Sequence, residues 1–209
     1  AASAQKIEAI LIPWTLLDSA QVPGTGGELR LYQRNNEFSI KIVGRGELMN
    51  SRVHGSETAL AEHTFARLVD CVKPQLLIGG LGMGFTLSAA LQHLGNQAHV
   101  IVAELVPAVV AWNRGPLGDC AGHPLRDPRV TVSEMDVAHM LMAGEQAYDA
   151  ILLDVDNGPE GLTRKENDWL YSINGLNDAY TALRPRGVLA VWSAGPDKNF
   201  LNRLRKVGL

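Results

Sequence analysis

The stretch Leu76-Leu77-Ile78-Gly79-Gly80-Leu81-Gly82-Met83-Gly84-Phe85-Thr86 decides how we interpret the rest of the chain. Its apolar start predicts a buried strand, its glycines predict a tight turn, and a helix-compatible segment follows through Leu94. Glycines at such a turn let the backbone approach a ligand, and the N–H groups that open the next helix can hold the ligand's polar atoms. Turns of this kind also occur where a strand and a helix only pack closely, so the stretch alone leaves both interpretations open.

An acidic residue at the end of the following strand favours ligand binding. Glu104 ends the apolar run His99–Ala103, twenty residues after Gly84. At that spacing a carboxylate can accept hydrogen bonds from both hydroxyls of a ribose. We therefore predict a nucleoside-containing ligand, and a solvated acid at a strand end is the alternative for Glu104.

Length and composition exclude several classes of protein. The 209 residues are 46% apolar and carry a formal net charge of −3, which permits one full core and gives no electrostatic basis for binding nucleic acid or an anionic membrane. No apolar run is long enough to span a membrane, and residues 1–10 carry Lys6 and Glu8 where a signal peptide is apolar. Neither cysteines nor histidines have metal-ligand spacing. We expect a cytoplasmic protein that acts on a small molecule without a metal.

Residues 1–52 predict a small β-rich appendage. Apolar and polar residues alternate over 29–31 and 38–42 on either side of a turn at 34–37, which is the pattern of a hairpin, and a third strand follows at 47–52. Because three strands are marginal alone, we expect this unit to pack on the main domain or on a second subunit. A homodimer is the corresponding hypothesis.

Residues 53–209 predict an α/β domain. Strand and helix patterns alternate five times, with predicted strands at 76–78, 99–103, 129–132, 148–154 and 188–192. This alternation predicts a doubly wound, mainly parallel sheet of the Rossmann type with right-handed crossovers. Ligands of such sheets lie outside the carboxyl ends of the strands. The glycine turn, Glu104, Asp136 and Asp154 all follow predicted strands, so we expect them to converge on one rim.

Five motifs then point to one family by their order and spacing. They are Ile78-Gly79-Gly80, Val102-Ala103-Glu104-Leu105-Val106-Pro107, Asp127-Pro128-Arg129-Val130 leading to Asp136, Tyr148-Asp149-Ala150-Ile151-Leu152-Leu153-Asp154, and Arg184-Pro185-Arg186-Gly187-Val188-Leu189. Together they resemble the spermidine synthase family, the polyamine aminopropyltransferases built on the S-adenosylmethionine-dependent methyltransferase fold. The resemblance extends from about Leu48 to Asp197, and the hairpin before Ser56 is similar to a shortened N-terminal β-domain of that family.

The resemblance implies roles for the residues at the rim. The donor, S-adenosylmethionine or its decarboxylated form, would be bound by Gly79, Gly80, Gly82, Gly84, Glu104 and Asp136. Within that set, Glu104 would bind the ribose hydroxyls and Asp136 the adenine amino group, while Asp154 would orient and deprotonate an attacking amine. An ammonium has no lone pair, so transfer to nitrogen does need a proton acceptor nearby. A helix cap is the alternative for Asp136, and an Asx turn is the alternative for Asp154.

The acceptor half of the site departs from the family. The family's glycine loop usually holds an aspartate, which 81–84 lacks. Asp156 is the candidate for a second acid that the family places after the catalytic one, and a residue that only shapes the turn is the alternative. Only Glu62 remains of a tyrosine–glutamine–glutamate cluster before the glycine strand. Trp169 and Tyr171 could line an acceptor pocket, with packing under the preceding loop as the alternative.

The sequence therefore predicts a spermidine synthase-like aminopropyltransferase that acts on a small amine. The same pocket in a methyltransferase with an unknown small-molecule acceptor is the first alternative. An NAD-dependent oxidoreductase is the second, because a glycine turn followed by Glu104 suits NAD as well, although an acid at the position of Asp136 suits an adenine edge better than a second nucleotide. A non-catalytic relative that keeps the fold for assembly or ligand sensing is the third.

Overall fold

The computed structural model of the chain describes residues 12–24, 26–68, 71–155 and 165–209. Within these ranges the chain forms two sheets, one antiparallel with four strands and one parallel with five. Across the same ranges no helix has the length and apolar character needed to cross a membrane.

The antiparallel sheet is a meander near the N-terminus. Its strands, in sheet order, are β1 (Thr15–Gln21), β2 (Glu28–Arg34), β3 (Glu37–Ile42) and β4 (Gly46–Asn50). The predicted hairpin is confirmed as β2 paired with β3, and the third predicted strand is confirmed as β4. β1 was missed, because this edge strand is exposed at almost every position and therefore lacks the apolar alternation that marks a half-buried strand.

The parallel sheet has the order β7-β6-β5-β8-β9. Its strands are β5 (Gln75–Gly79), β6 (His99–Ala103), β7 (Val130–Ser133), β8 (Tyr148–Leu153) and β9 (Leu183–Val191). The predicted parallel, doubly wound arrangement is confirmed. The strand order reverses between β5 and β8, and crevices for ligands open at such a reversal.

Six helices connect and flank these strands within the described ranges. They are α1 (Gly55–Phe65), α2 (Phe85–Gln92), α3 (Pro107–Arg114), α4 (Val137–Ala143), α5 (Ile173–Ala182) and α6 (Lys198–Val207). A 3₁₀ segment, Lys165–Tyr171, precedes α5. β9 begins earlier than the predicted 188–192, because Leu183 already pairs with Tyr148 of β8, and a register shift separates this pair from that of Val188 and Ala150.

The two sheets share one hydrophobic core. Leu31 and Ile40 of the antiparallel sheet belong to the same buried cluster as Leu76 and Ile78 of β5. The indole N–H of Trp112 on α3 donates to a carboxylate oxygen of Asp18 on β1 at 2.7 Å, which ties the meander to the α/β unit. The division into residues 1–52 and 53–209 stays a prediction, but the meander does pack on the rest of the chain.

Candidate active site

A cleft opens at the carboxyl ends of the parallel strands. Its empty volume is about 1240 Å³ with the open mouth included. One side is formed by the glycine turn and by carboxylate-bearing residues, and the other by aliphatic side chains of the meander. The residues that line the cleft include Val22, Leu29, Ile40, Leu48, Met49, Glu57, Gly80, Gly82, Phe85, Glu104, Asp136, Asp154 and Trp192.

The glycine turn forms the floor of the cleft. Gly80 has φ +88°, and a Cβ at this position would collide with the carbonyl oxygen of Asp154. Gly82 also lines the cleft, with the Met49 sulfur 3.3 Å from the position that its Cβ would take. Gly79 and Gly84 lie outside the lining and instead leave room for neighbouring side chains, those of Val137 and Asn113 among them.

Glu104 follows β6, and its side chain lies under the glycine turn. One carboxylate oxygen accepts the N–H of Leu81 at 2.9 Å and the other accepts the N–H of Val106 at 2.8 Å. Burial raises the pKa of this carboxyl above its ordinary value, and the backbone N–H groups oppose that shift because they stabilise the charged form. The N–H groups of Gly82 and Leu105 add to that opposing effect, and Glu104 lines the cleft.

Asp136 lies between β7 and α4. Its Oδ1 accepts the N–H of Ala138 at 3.0 Å, so it caps α4 in the way that the alternative interpretation of this residue predicted. The residue also lines the cleft. Capping and facing a ligand are therefore compatible at this position.

Asp154 follows β8 at the reversal in strand order. Its backbone N–H donates to the carbonyl of Gly79 at 2.9 Å, and its side-chain Oδ2 accepts the hydroxyl proton of Thr86 at 2.5 Å. Burial raises the pKa of this carboxyl to about 6, the Thr86 hydrogen bond opposes the rise, and the charge of Glu57 adds to it. A carboxylate in a cleft with a pKa near neutrality has the character of a general base.

None of the three residues predicted for the acceptor side is among the described residues that line the cleft. Asp156 falls outside the described residues. Among the described residues, Trp169 and Tyr171 do not line the cleft. Tyr171 is buried, its hydroxyl donates to the carbonyl of Val155 at 2.9 Å, and its ring contacts Phe200 edge-on, which corresponds to the packing alternative.

Glu57 and Thr86 were missed from the sequence. Glu57 lines the cleft from the first turn of α1, whereas Glu62, the residue selected through the family resemblance, is exposed on the same helix. A signal was present, because Glu57 lies at helical spacing from the buried Ala61 and Thr64, and an acid on an otherwise apolar helix face needs an explanation. Thr86 gave no such signal, since its partner lies 68 residues away.

The charge in the cleft has one sign. The described lining residues include the carboxylates of Glu57, Glu104, Asp136 and Asp154 and no lysine, arginine or histidine. In the part of the chain that the structure describes, no group of three or more histidines, cysteines or acids could hold a metal ion. A cleft of this composition favours cationic ligands and disfavours carboxylates and phosphates.

Comparison with known proteins shows which sequences and folds this chain resembles. No protein-family model matches the chain. The sequence is 32% identical over 123 residues to polyamine aminopropyltransferase 1 of Streptomyces coelicolor, a match that covers 58% of this chain and 22% of that protein. The chain thus spans less than a quarter of the length of this curated relative.

Solved structures resemble the whole fold. A spermidine synthase in complex with the transition-state analogue AdoDATO has a TM-score of 0.71 at 18% identity, covering 92% of this chain and 63% of that one. Spermidine synthase from Thermotoga maritima has a TM-score of 0.69 at 18% identity over 92% of this chain and 64% of that one. A probable spermidine synthase from Corynebacterium glutamicum has a TM-score of 0.60 at 14% identity over 85% and 62%.

The fold is that of a methyltransferase-like α/β protein preceded by an antiparallel sheet, as in the spermidine synthases. The curated relative is an aminopropyltransferase and the structural neighbours are spermidine synthases. The chain therefore resembles spermidine synthases in fold and, over 123 residues, an aminopropyltransferase in sequence, which is the resemblance that its motifs predicted.

Gly80→Ala should lower the free energy of unfolding more than Gly44→Ala, a loop substitution with similar backbone strain. Both Gly80 and Gly44 have positive φ, and an alanine in that region costs about 1–2 kcal/mol, but a Cβ at Gly44 meets nothing within 4 Å. We expect Gly44→Ala to lower the unfolding free energy by roughly that amount and Gly80→Ala to lower it further, since the Asp154 backbone must move. Urea denaturation of both variants measures the difference, and equal losses would contradict the close approach.

Proposed function

We propose that this chain transfers an aminopropyl group from decarboxylated S-adenosylmethionine to a small amine. The observation that carries the proposal is the cleft itself, in which four acidic side chains and no basic one lie among the described lining residues. The donor is a sulfonium cation with an ammonium tail, and the acceptor is an amine, so both substrates carry the charge that this cleft attracts.

The donor's nucleoside would lie along the glycine turn. Gly80 and Gly82 allow the ligand to approach the backbone, Glu104 would accept hydrogen bonds from the two ribose hydroxyls, and Asp136 would accept one from the adenine amino group. The hydrogen bonds that the N–H groups of Leu81 and Val106 donate hold the Glu104 carboxylate in one orientation. Such fixed acceptors bind without first having to be ordered, which favours affinity.

Asp154 would act as the proton acceptor. The amine nitrogen attacks the propyl carbon next to sulfur, the new C–N bond forms as the C–S bond breaks, and the bonding electrons stay on sulfur as neutral methylthioadenosine. The surplus proton passes from nitrogen to Asp154. A pKa of about 6 leaves this carboxyl ionised near pH 7 and still basic enough to take a proton.

Methyl transfer from S-adenosylmethionine is the second candidate. Gly82 lies in the turn from which the family's aspartate is missing, and the Met49 sulfur packs 3.3 Å from where its side chain would begin. An acid for the donor's ammonium tail is therefore lacking in the turn itself. NAD gains no comparable support, because a pyrophosphate would add negative charge to an acidic cleft. Homodimer formation and a cytoplasmic location stay predictions.

Donor preference separates these candidates. We expect decarboxylated S-adenosylmethionine to bind roughly tenfold more tightly than S-adenosylmethionine. The charged side chains that line the described cleft are all acidic, so they would repel the extra carboxylate. Calorimetric titration measures both affinities, with methylthioadenosine as a control for the nucleoside half. Tighter binding of the carboxylated donor would favour methyl transfer, and binding of NAD alone would favour an oxidoreductase.

Asp154→Asn should separate activity from stability. We expect kcat to fall roughly 100- to 10,000-fold with donor affinity retained, because the amide cannot accept the proton. The folded pKa of Asp154 lies above its ordinary value, so its stabilising contribution is complete at low pH and is lost as pH rises through about 6. The variant should therefore melt at a higher temperature than wild type at pH 8, with the difference absent near pH 4. An unchanged kcat would remove Asp154 from the mechanism, and a non-catalytic relative would show no turnover in either protein.

Glu57→Gln and Glu62→Gln form a matched pair on α1. Only Glu57 lines the cleft, so we expect its variant alone to raise the KM for an amine several-fold. Loss of the Glu57 charge should also lower the pKa of Asp154 and move the acid limb of the kcat/KM profile to lower pH. Steady-state kinetics across pH 5 to 9 measures both effects. Equal behaviour of the two variants would contradict a role for Glu57.

A further inference from the structure

Thr86 makes a hydrogen bond that is unusual for a threonine in a helix. It is the second residue of α2 and is 2% exposed, so its hydroxyl needs a partner within the protein. Helical threonines commonly donate to the carbonyl four residues earlier. Thr64 does so with Leu60 at 2.7 Å, and Thr58 does so with His54 at 3.3 Å.

The carbonyl four residues before Thr86 belongs to Gly82, which precedes the N-cap Gly84 and lies outside the helix. It accepts the side-chain N–H of Asn113 at 2.8 Å, and the same nitrogen donates to the carbonyl of Val109. The Thr86 hydroxyl instead donates to Oδ2 of Asp154 at 2.5 Å. A hydroxyl that donates to a carboxylate makes a charge-assisted hydrogen bond, which is stronger than one between neutral groups.

We propose that Thr86 is a positioning residue for Asp154. Its hydroxyl holds Oδ2, which leaves Oδ1 as the oxygen that receives the proton of the attacking amine. The inference deepens the proposed aminopropyl transfer and rests on Asp154 as the proton acceptor in that reaction. It does not concern donor recognition by Glu104 or Asp136.

The position of Thr86 in the chain gives the bond a second consequence. α2 begins directly after the glycine turn, and Gly84 is its N-cap. The segment that would receive the donor therefore also orients the base, so the transferable carbon and the proton acceptor are aligned by one stretch of backbone. Alignment of this kind is what an in-line displacement requires of its site.

Charged groups around Asp154 set the direction of the expected change. Glu57 on α1 is the charged group that acts on it among the described residues, and Glu104 and Asp136 line the same cleft from the ends of β6 and β7. Burial and Glu57 raise the pKa of Asp154, whereas the Thr86 hydroxyl lowers it because it stabilises the carboxylate. Removing the hydroxyl should therefore raise this pKa further.

The test compares four variants by ¹³C NMR titration of the Asp154 carboxyl, assigned with Asp154→Asn. Thr86→Val removes the hydroxyl at nearly constant shape, Thr86→Ala is the second variant if valine does not fit, and Thr86→Ser keeps the donor. Thr64→Val is the control, since it removes a buried threonine hydroxyl that does not contact Asp154. We expect the pKa to rise by about one unit in the valine and alanine variants at position 86 and in neither of the others.

A transferase assay completes the test. The acid limb of the kcat/KM profile should move to higher pH in Thr86→Val by as many pH units as the pKa of Asp154 rises. In Thr86→Ser it should keep the wild-type position. Unchanged Asp154 titration in both Thr86→Val and Thr86→Ala, or an equal shift in Thr64→Val, would overturn the proposal. A shifted titration with an unshifted kinetic profile would overturn the positioning role. A shifted titration in a protein that transfers no group from either donor would leave the Thr86–Asp154 pair intact and refute the proposed function instead.

Discussion

The backbone of Gly80 lies against the carbonyl of Asp154, and this contact between the ends of β5 and β8 requires a residue without a side chain. The neighbouring N–H of Asp154 donates to the carbonyl of Gly79, so the two strands stay paired up to the point where the strand order reverses. The strand order reverses between these two strands, and the cleft opens at this reversal. The glycine turn and the carboxylate of Asp154 consequently face the same space.

The fold supplies hydrogen-bond donors to the acids at the ends of the parallel strands. Glu104 accepts two backbone N–H groups, Asp136 accepts the N–H of Ala138, and Asp154 accepts the hydroxyl of Thr86. Buried carboxylates without such partners would protonate or oppose folding. The same hydrogen bonds orient the carboxylate oxygens. The donors that stabilise these acids in the folded protein therefore also prepare the site to bind a cation.

Sequence patterns predicted the parallel sheet and most of the rim, and they failed for identifiable reasons. β5 and β8 contain uninterrupted apolar runs, at 76–78 and 150–153, next to glycine or aspartate, which is a strong local signal. β1 is an exposed edge strand, so its residues show no alternation even though it pairs with β2 along most of its length. Trp169 and Tyr171 follow the segment after Asp154 in sequence, but the chain turns both residues away from the described cleft and packs Tyr171 beneath Val155.

Local sequence by itself determined the order of strands and helices, the need for glycine at the turn, and the identity of the acids at the strand ends, because each depends on neighbours within a few residues. Tertiary structure alone decided that Met49 of the meander packs against Gly82 and that Thr86 donates to Asp154. These contacts join residues from separate sheets and helices, and their side chains meet only after the meander and the parallel sheet have packed into one core. Spacing along the sequence does not predict such contacts, because they form only between residues that the packing of the core brings together.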